Sequence, residues 1–203
     1  VMLTAPLGVF ALIMYTVADL GYEILYILFW YGITVVAGLA LHAFGVYAMM
    51  LKLFTKVNIL EFYRSIREPQ TIAFTTSSSA ATLPVSMQCA EEDLGISKSV
   101  SGFVLPLGAT INMDGTALYQ GVAAIFIAQV FGLDLTLAQQ LTIVLMATLA
   151  SVGTAPVPGV GILMLVIILK SVHIPEIGIA LILGIDRILD MCRTVTNVTG
   201  DLT

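Results

Sequence analysis

Charged residues are scarce in this sequence. Only 10% of the 203 residues are Asp, Glu, Lys or Arg, whereas 59% are hydrophobic, and the mean hydropathy is +1.03. Soluble domains carry about 25% charged residues, so this composition excludes an ordinary soluble fold. No charge occurs in the stretches 1–18, 24–51 and 135–169. Because a spanning helix needs about 20 apolar residues, each stretch has room for one or more membrane spans.

Cysteine and histidine are also rare. Cys89 and Cys192 are the two cysteines, and their spacing supports neither a disulfide framework nor a zinc site. His42 and His173 lie away from any nucleophile motif, which argues against a hydrolase that uses residues 77–79 or a pair of aspartates, Asp114 and Asp186. No basic patch points to nucleic acid, and we expect a non-enzymatic protein.

Basic residues cluster only between positions 52 and 67, where Lys52, Lys56, Arg64 and Arg67 lie. The positive-inside tendency places this cluster on the cytoplasmic side. The chain begins at Val1 and carries no signal peptide, so we expect it to be an excerpt of a longer polypeptide.

Helix-breaking clusters divide the apolar sequence. Hydropathy predicts a first span, then a helix over 22–54, a hairpin over 58–93 with its tip at the Ser/Thr run, and a helix over 99–131 interrupted at 112–116. A second hairpin over 136–170 has a Gly/Pro-rich tip, and a polar helix covers 175–203. A hairpin followed by a polar helix therefore occurs twice, as in inverted repeats. Such paired interrupted segments are typical of secondary transporters with a binding site near the membrane midplane.

The last helix carries a stripe of polar side chains on one face. At about 100° per residue, the stripe is about 80° wide. Its members are Asp186, Asp190, Arg193, Asn197 and Asp201. Such groups can simply pair to hold helices together, but a stripe that mixes carboxylate, guanidinium and carboxamide also suits a zwitterion with an extra carboxylate. Arg193 would bind that carboxylate, Asp190 the ammonium group and Asn197 the α-carboxylate, whereas Arg187 points elsewhere.

Two other segments offer ligands. Asn112 and Asp114 can face one site only if the backbone unwinds between them, and Gly115 makes that unwinding plausible. An unwound turn exposes carbonyl oxygens, which together with the Asn and Asp side-chain oxygens suit sodium. The hairpin tips place Ser79 and Gly159 at half-helix N-termini, where backbone N–H groups can hold a substrate carboxylate.

Three motifs in this order resemble a known family. They are Ser77–Ser79 before Thr82, Leu83 and Pro84; Asn112 to Thr116; and Asp190 to Asp201 ending in Asn197, Val198, Thr199, Gly200 and Asp201. The chain is similar over nearly its whole length to the glutamate and neutral amino acid transporters, the dicarboxylate/amino acid:cation symporters. The resemblance implies an all-α membrane protein with two re-entrant helical hairpins. It also implies a homotrimer in the plasma membrane, in contact with lipid, whose transport domain (22–203) slides as an elevator against a scaffold that includes 1–21.

The family's ligands carry over by motif. The implied substrate-binding residues are Ser78, Ser79, Thr116, Val157, Gly159, Asp190, Arg193, Thr194 and Asn197. The implied sodium-binding residues are Gly108, Thr110, Asn112, Met113, Asp114, Ser151, Val152, Thr154, Asn197 and Asp201.

Details of the resemblance select among members. Arg193 implies an acidic substrate, L-aspartate or L-glutamate, whereas Met113, Thr116 and Asp201 match sodium-coupled members. Gln120 replaces the glutamate of animal members that move a proton and counter-transport potassium, which favours prokaryotic sodium-coupled carriers and a prokaryotic cell membrane. A proton-coupled dicarboxylate/glutamate symporter and an anion channel are the alternatives.

Two departures concern arginine and proline. The extra arginine that some members carry in the last helix or the first hairpin is replaced by Met191 and Ser77, with Arg187 as a possible substitute. Pro156 stands where a relative has glycine and should stiffen the second hairpin tip, which the family uses as a gate.

Overall fold

The computed structural model describes residues 5–203, in which the regular secondary structure is helical and no strand occurs. This confirms the predicted all-helical class. The first four residues of the predicted scaffold segment 1–21 lie outside the described residues. The helices in chain order are α1 (Ala5–Leu20), α2 (Glu23–Leu41), a π-helix (His42–Tyr47), α3 (Ala48–Phe54), α4 (Ile59–Ser65), α5 (Arg67–Thr76), α6 (Ser79–Glu92), α7 (Lys98–Ile111), α8 (Asp114–Val130), α9 (Leu137–Ser151), α10 (Val160–Ser171), a 3₁₀ turn (Glu176–Gly178) and α11 (Ile179–Asp201).

Helix α2, the π-helix and α3 form one continuous stretch, Glu23–Phe54. Within the described residues it is the one helix long and apolar enough to cross a membrane, judged by length and composition. Its 32 residues measure about 48 Å at 1.5 Å per residue. The sequence predicts one regular helix over 22–54, and the π-helical turn at His42–Tyr47 departs from that prediction. No Pro or Gly pair in the sequence marks the change, because a wider turn depends on what the helix packs against.

The first hairpin consists of α5 and α6, which pack against each other. Ser77 ends α5 in the left-handed region, with φ of 51°. Ser78 is extended and caps α6, since its Oγ accepts a hydrogen bond from the Ala81 amide at 3.2 Å. These two residues reverse the chain without a longer loop.

The second hairpin consists of α9 and α10. A capping box begins α9, because the Thr136 hydroxyl and the Gln139 side chain each bond to the other's backbone N–H. Gly153 and Gly159 have φ of 86° and 81°, values that glycine adopts without steric cost, and they shape the turn between the helices. Helices α9 and α10 have 15 and 12 residues, too few for either to cross a bilayer core of about 30 Å alone.

The chain unwinds between α7 and α8. Asn112 and Met113 have φ of −104° and ψ of 62° and 57°, so two residues separate the helices. Gly115 lies after this break, in the first turn of α8, which corrects the expectation that it serves the unwinding. A Cβ at Gly115 would lie 2.8 Å from the Arg193 carbonyl oxygen and 2.9 Å from Asn197 Oδ1. Glycine is therefore needed for the close approach of α8 to α11.

Helix α11 lies at the centre of the fold, in contact with α1, α2, α5 and α8. The main apolar core comes from α2 and α8–α11 and includes Ile127, Leu165 and Ile182, all completely buried. Leu141, Leu145 and Leu149 lie on one outer face of α9 and are 59% to 61% exposed. A continuous apolar face of this kind is typical of contact with lipid or with another part of a membrane protein.

We predict that Gly115→Ala separates α8 from α11. The added methyl group would overlap backbone and side-chain oxygens of α11, and overpacking of this kind costs about 1–3 kcal/mol. The thermal unfolding midpoint of the full-length protein in detergent should fall by several degrees. The matched control is Gly121→Ala in the same helix, where a Cβ meets no atom within 4 Å. Equal midpoints for the two variants would show that the close approach is not needed.

Candidate functional site

A small cleft lies between the tips of the two hairpins, the α7–α8 break and α11. Its space is about 20 Å³, close to the room that one water molecule needs. The residues that line it are Ser77, Ser79, Met113, Thr116, Thr154, Ala155, Pro156, Val157, Gly161, Asp190, Arg193, Thr194 and Asn197. In this conformation the hairpin tips close the site, so a larger ligand requires them to move.

A buried ion pair forms the base of the cleft. Arg193 Nη2 donates to Asp190 Oδ1 at 2.6 Å, and both residues are at least 96% buried. The second carboxylate oxygen of Asp190 accepts the backbone N–H of Gly159 at 3.0 Å. Arg187 Nη1 approaches the same oxygen at 3.7 Å from a partly exposed position. Asp190 therefore has positive or N–H neighbours on both of its oxygens.

The Arg193 guanidinium contacts Tyr119 and Gly161. Its Cζ lies 4.4 Å from the centroid of the Tyr119 ring, a cation–π contact. A Cβ at Gly161 would lie 2.6 Å from Nη1, so glycine leaves the room that the guanidinium occupies. Nη1 has no hydrogen-bond partner among the described residues although it is buried. One donor of the guanidinium is therefore unpaired beside the cleft.

Asn197 joins α11 to the start of α8. Its Oδ1 accepts the Gly115 backbone N–H at 2.8 Å, and its Nδ2 donates to Thr116 Oγ1 at 3.1 Å. Thr194 Oγ1 donates to the Asp190 carbonyl at 2.9 Å, within the same helix. The carboxamide thus fixes the side of the cleft that Thr116 contributes.

The two hairpin tips meet at Pro156. Its carbonyl accepts the Ser78 hydroxyl at 2.9 Å and the Ala80 backbone N–H at 3.3 Å. Gln120 Nε2 donates to the Gly161 carbonyl at 3.0 Å, which ties the first turn of α10 to α8. The second hairpin is therefore bound to the first hairpin at Pro156 and to α8 at Gly161.

The structure brings most of the predicted substrate-binding residues to this cleft. Those that line it are Ser79, Thr116, Val157, Asp190, Arg193, Thr194 and Asn197. Ser78 and Gly159 do not line it, because the Ser78 hydroxyl caps α6 and the Gly159 N–H is occupied by Asp190. Gly161 also lines the cleft but was not predicted from the sequence. Its position two residues after Gly159, in a helix-breaking segment, could have indicated a place in the site.

The predicted cation ligands form two groups. In the first, Asn112 Nδ2 donates to Asp201 Oδ1 at 3.2 Å, and a Cβ at Gly108 would lie 2.8 Å from that oxygen. Asp114 Oδ2 lies 3.1 Å from both His42 Nε2 and the Tyr47 hydroxyl. Neither His42 nor Tyr47 was selected from the sequence, because each sits inside an apolar helix with no motif around it. Asn197 was predicted to bind both substrate and cation, and Met113 the cation alone; both residues line the cleft.

The second group lies where the second hairpin meets α7. The Gly153 N–H donates to the Thr110 carbonyl at 2.9 Å, so the segment 151–154 lies against the end of α7. The hydroxyls of Ser151 and Thr154 donate to backbone carbonyls one turn earlier, at Thr148 and Ala150, so both side chains are held against α9. Their oxygen lone pairs and the backbone oxygens of the turn can still contact a cation. No three His, Cys, Asp or Glu side chains cluster within residues 5–203. Carboxylate, carboxamide and carbonyl oxygens suit a hard cation such as sodium.

We predict that Ser78→Ala loosens the contact between the hairpin tips. The variant loses an N-cap worth about 1 kcal/mol and the bond to the Pro156 carbonyl. Hydrogen–deuterium exchange of peptides that cover 76–84 should accelerate about fivefold or more. Ser97→Ala is the control, since Ser97 caps α7 without a side-chain hydrogen bond. Unchanged exchange in the Ser78 variant would rule out this role.

The model of the sodium:dicarboxylate symporter family matches residues 1–203. The chain is 43% identical to an excitatory amino acid transporter of Caenorhabditis elegans over 203 residues, which cover 99% of this chain and 40% of the relative. It is 50% identical to excitatory amino acid transporter 4 of Rattus norvegicus over 171 residues, or 84% of this chain and 30% of the relative. It is 48% identical to excitatory amino acid transporter 1 of Homo sapiens over 171 residues, or 84% and 32%.

The chain thus spans between about a third and two fifths of the length of these relatives. They are animal proteins, so the predicted placement among prokaryotic members and in a prokaryotic cell membrane is not supported. The resemblance found in the three sequence motifs is confirmed, and both the family and these relatives are named for transport rather than for catalysis. Because the family model matches the whole sequence, this chain belongs to the sodium:dicarboxylate symporter family.

Proposed function

We propose that this chain forms the substrate-binding part of a symporter that carries an acidic amino acid, L-aspartate or L-glutamate, together with sodium ions. The observation that carries the proposal is the buried pair of Arg193 and Asp190 in a cleft that two hairpin tips close. A family of sodium:dicarboxylate symporters and relatives named excitatory amino acid transporters agree with it.

The ion pair is complementary to the ends of an acidic amino acid. A side-chain carboxylate can take two parallel hydrogen bonds from the Arg193 guanidinium, including one from the unpaired Nη1, and the ligand ammonium can take the place of the guanidinium at Asp190. The ligand therefore replaces one buried ion pair with two. This exchange avoids leaving either charge unpaired in the interior, which would cost several kcal/mol.

The rest of the ligand would contact both hairpins and α8. Ser79 and Thr116 line the cleft with hydroxyl groups, and Val157 and Thr194 complete its wall. Asn197 would serve the α-carboxylate through its amide, which now bonds to Thr116. Ser78 and Gly159 would act indirectly, Ser78 by holding the tip and Gly159 by holding Asp190.

Sodium is the co-substrate in this proposal. One group of ligands comprises Gly108, Asn112, Asn197 and Asp201, together with Asp114 and the neighbouring Met113. The other comprises the backbone oxygens of Thr110, Ser151, Val152 and Thr154. The amide of Gln120 donates to Gly161 and is neutral at every physiological pH, which favours sodium coupling without proton transport at this position.

The short helices fit a membrane-embedded transport domain. Helices α9 and α10 are apolar but too short to span, which is expected of a re-entrant hairpin whose tip lies inside the protein. We propose that 22–203 is this domain, that 1–21 belongs to a scaffold, and that the full-length protein works as an elevator within a homotrimer of the plasma membrane, in contact with lipid. The exposed leucines of α9 would face lipid or another part of the transporter.

The central test is binding of L-aspartate and L-glutamate to the full-length protein with and without sodium, repeated for Arg193→Gln. We expect sodium-dependent binding in the wild type and a loss of at least about 30-fold in the variant, because one partner of a buried charge pair is worth about 2–5 kcal/mol. Isothermal calorimetry measures both. Sodium-independent binding would indicate proton coupling, and no binding at all would contradict a carrier of acidic amino acids.

Two controls accompany this measurement. Arg64→Gln removes an exposed arginine of α4 that does not line the cleft, and the variant should bind like the wild type. Binding of a neutral amino acid by the Arg193 variant would show that the ammonium and α-carboxylate contacts survive. A variant that binds the neutral ligand but not aspartate has lost the side-chain carboxylate contact specifically.

Pro156→Gly should accelerate release of the substrate. Proline restricts the backbone of the second hairpin tip at φ near −65°, and its carbonyl is the point where the first hairpin is attached. Glycine keeps that carbonyl but frees the tip to open. Stopped-flow dissociation of aspartate measures the rate, and an unchanged rate would refute a gating role for this proline.

A further inference from the structure

The long apolar helix Glu23–Phe54 contains a π-helix at the point where this helix passes the α7–α8 break. Its six residues, His42–Tyr47, interrupt an otherwise α-helical stretch of 32 residues. In an α-helix, residues five apart point about 140° away from each other. In a π-helix the hydrogen bonds join residue i to i+5, so residues five apart lie close to one face. His42 and Tyr47 are five residues apart.

Both side chains reach the same carboxylate oxygen. His42 Nε2 and the Tyr47 hydroxyl each lie 3.1 Å from Asp114 Oδ2, and the two rings pack edge to face with centroids 4.7 Å apart. A regular α-helix at this point would turn one of them away. The other carboxylate oxygen has no assigned hydrogen bond among the described residues, and the Asp114 side chain remains 39% exposed.

Tyr47 also lies close to the end of α11, next to Asp201. A Cβ at Gly200 would lie 2.4 Å from the Tyr47 hydroxyl and 3.1 Å from Asn112 Nδ2. Asn112 in turn donates to Asp201 at 3.2 Å. The hydroxyl of Tyr47 is therefore lodged between Asp114 at the start of α8 and Gly200 near the end of α11. Tyr47 itself is 95% buried.

A tether from α4 holds this part of the helix. The Tyr63 hydroxyl donates to the carbonyl of Ala43, inside the π-helix. Tyr63 also packs against Phe44, with ring centroids 5.2 Å apart and the ring planes tilted by 48°. The wide turn is thus attached to the segment that precedes the first hairpin.

We propose that the π-helix is a positioning device for the cation site, and that Tyr47, assisted by His42, orients the Asp114 carboxylate and keeps it in register with Asp201. His42 and Tyr47 hold Asp114 Oδ2, so Oδ1 is left free to face the cation. The same contacts fix the spacing of α8 and α11. This inference rests on the proposed role of Asp114 in sodium binding. It adds residues from a helix that contributes no ligand in the predicted sets.

Thermal unfolding in the absence of any amino acid tests it. The full-length protein in detergent is titrated with NaCl, choline chloride keeps the ionic strength constant, and the unfolding midpoint reports sodium binding. Tyr47→Phe keeps the ring and removes the hydroxyl. We expect the sodium concentration for half-maximal stabilisation to rise about tenfold, because the Asp114 carboxylate loses a hydrogen bond that holds it in place. The midpoint in choline chloride alone should stay within a degree or two of the wild-type value.

Gly200→Ala provides an independent variant. Its methyl group would displace the Tyr47 hydroxyl without altering any residue of the π-helix, and it would also lie 3.1 Å from Asn112 Nδ2. It should shift the sodium titration in the same direction, and it supports the role of Tyr47 only together with Tyr47→Phe. Tyr26→Phe is the control, because Tyr26 is 68% exposed on the same long helix and should titrate like the wild type.

The possible outcomes separate the two levels of the proposal. A sodium titration of Tyr47→Phe that matches the wild type overturns the positioning role while the proposed symport stands. A midpoint that falls equally in sodium and in choline shows that the hydroxyl only packs the fold, which also overturns it. A wild-type protein that sodium does not stabilise contradicts the cation site itself, and with it this inference.

Discussion

The pairing of Arg193 with Asp190 is the contact around which the site is arranged. A guanidinium that is 98% buried needs a counter-charge, since an unpaired charge in the interior costs several kcal/mol. Tyr119 and Gly161 both lie against the guanidinium, and Gly159 holds the carboxylate with a backbone N–H. The second hairpin is thus attached to α11 by a charge that a ligand can compete for. Opening of the hairpin and occupation of the site involve the same atoms.

Interrupted helices supply the other polar groups. A continuous helix uses its N–H and C=O groups internally and offers a ligand only side chains. Where α7 ends at Ile111 and α8 begins at Asp114, and where each hairpin turns, backbone groups become free. Several of these free groups bond across the site, as Gly153 does to Thr110 and Ala80 to Pro156. The breaks in the helices therefore connect elements distant in sequence, and in the proposed function they also supply oxygens to sodium.

Much of the site could be predicted because its chemistry is unusual for an apolar chain. Charged residues in a sequence with 10% charge stand out, and the 3.6-residue period places those of α11 on one face. The buried side of α11 in the structure includes Asp186, Asp190, Arg193 and Asn197, as that period predicts. The break at residues 112–113 was expected, but Gly115 was assigned to it wrongly. A glycine looks the same in a sequence whether it permits an unusual backbone or a close helix contact.

The sequence by itself determined the helical class, the family, the positions of the helix breaks and the polar face of α11, because hydropathy, Gly/Pro clusters and helical period are local properties of the chain. Only the tertiary structure decided which groups meet. Ser78 turned toward Pro156 rather than the cleft, Gly161 came against Arg193, and a π-helical turn brought His42 and Tyr47 to Asp114. Each of these contacts joins residues more than 30 positions apart. Their geometry depends on how neighbouring helices pack, which no local pattern in the sequence records.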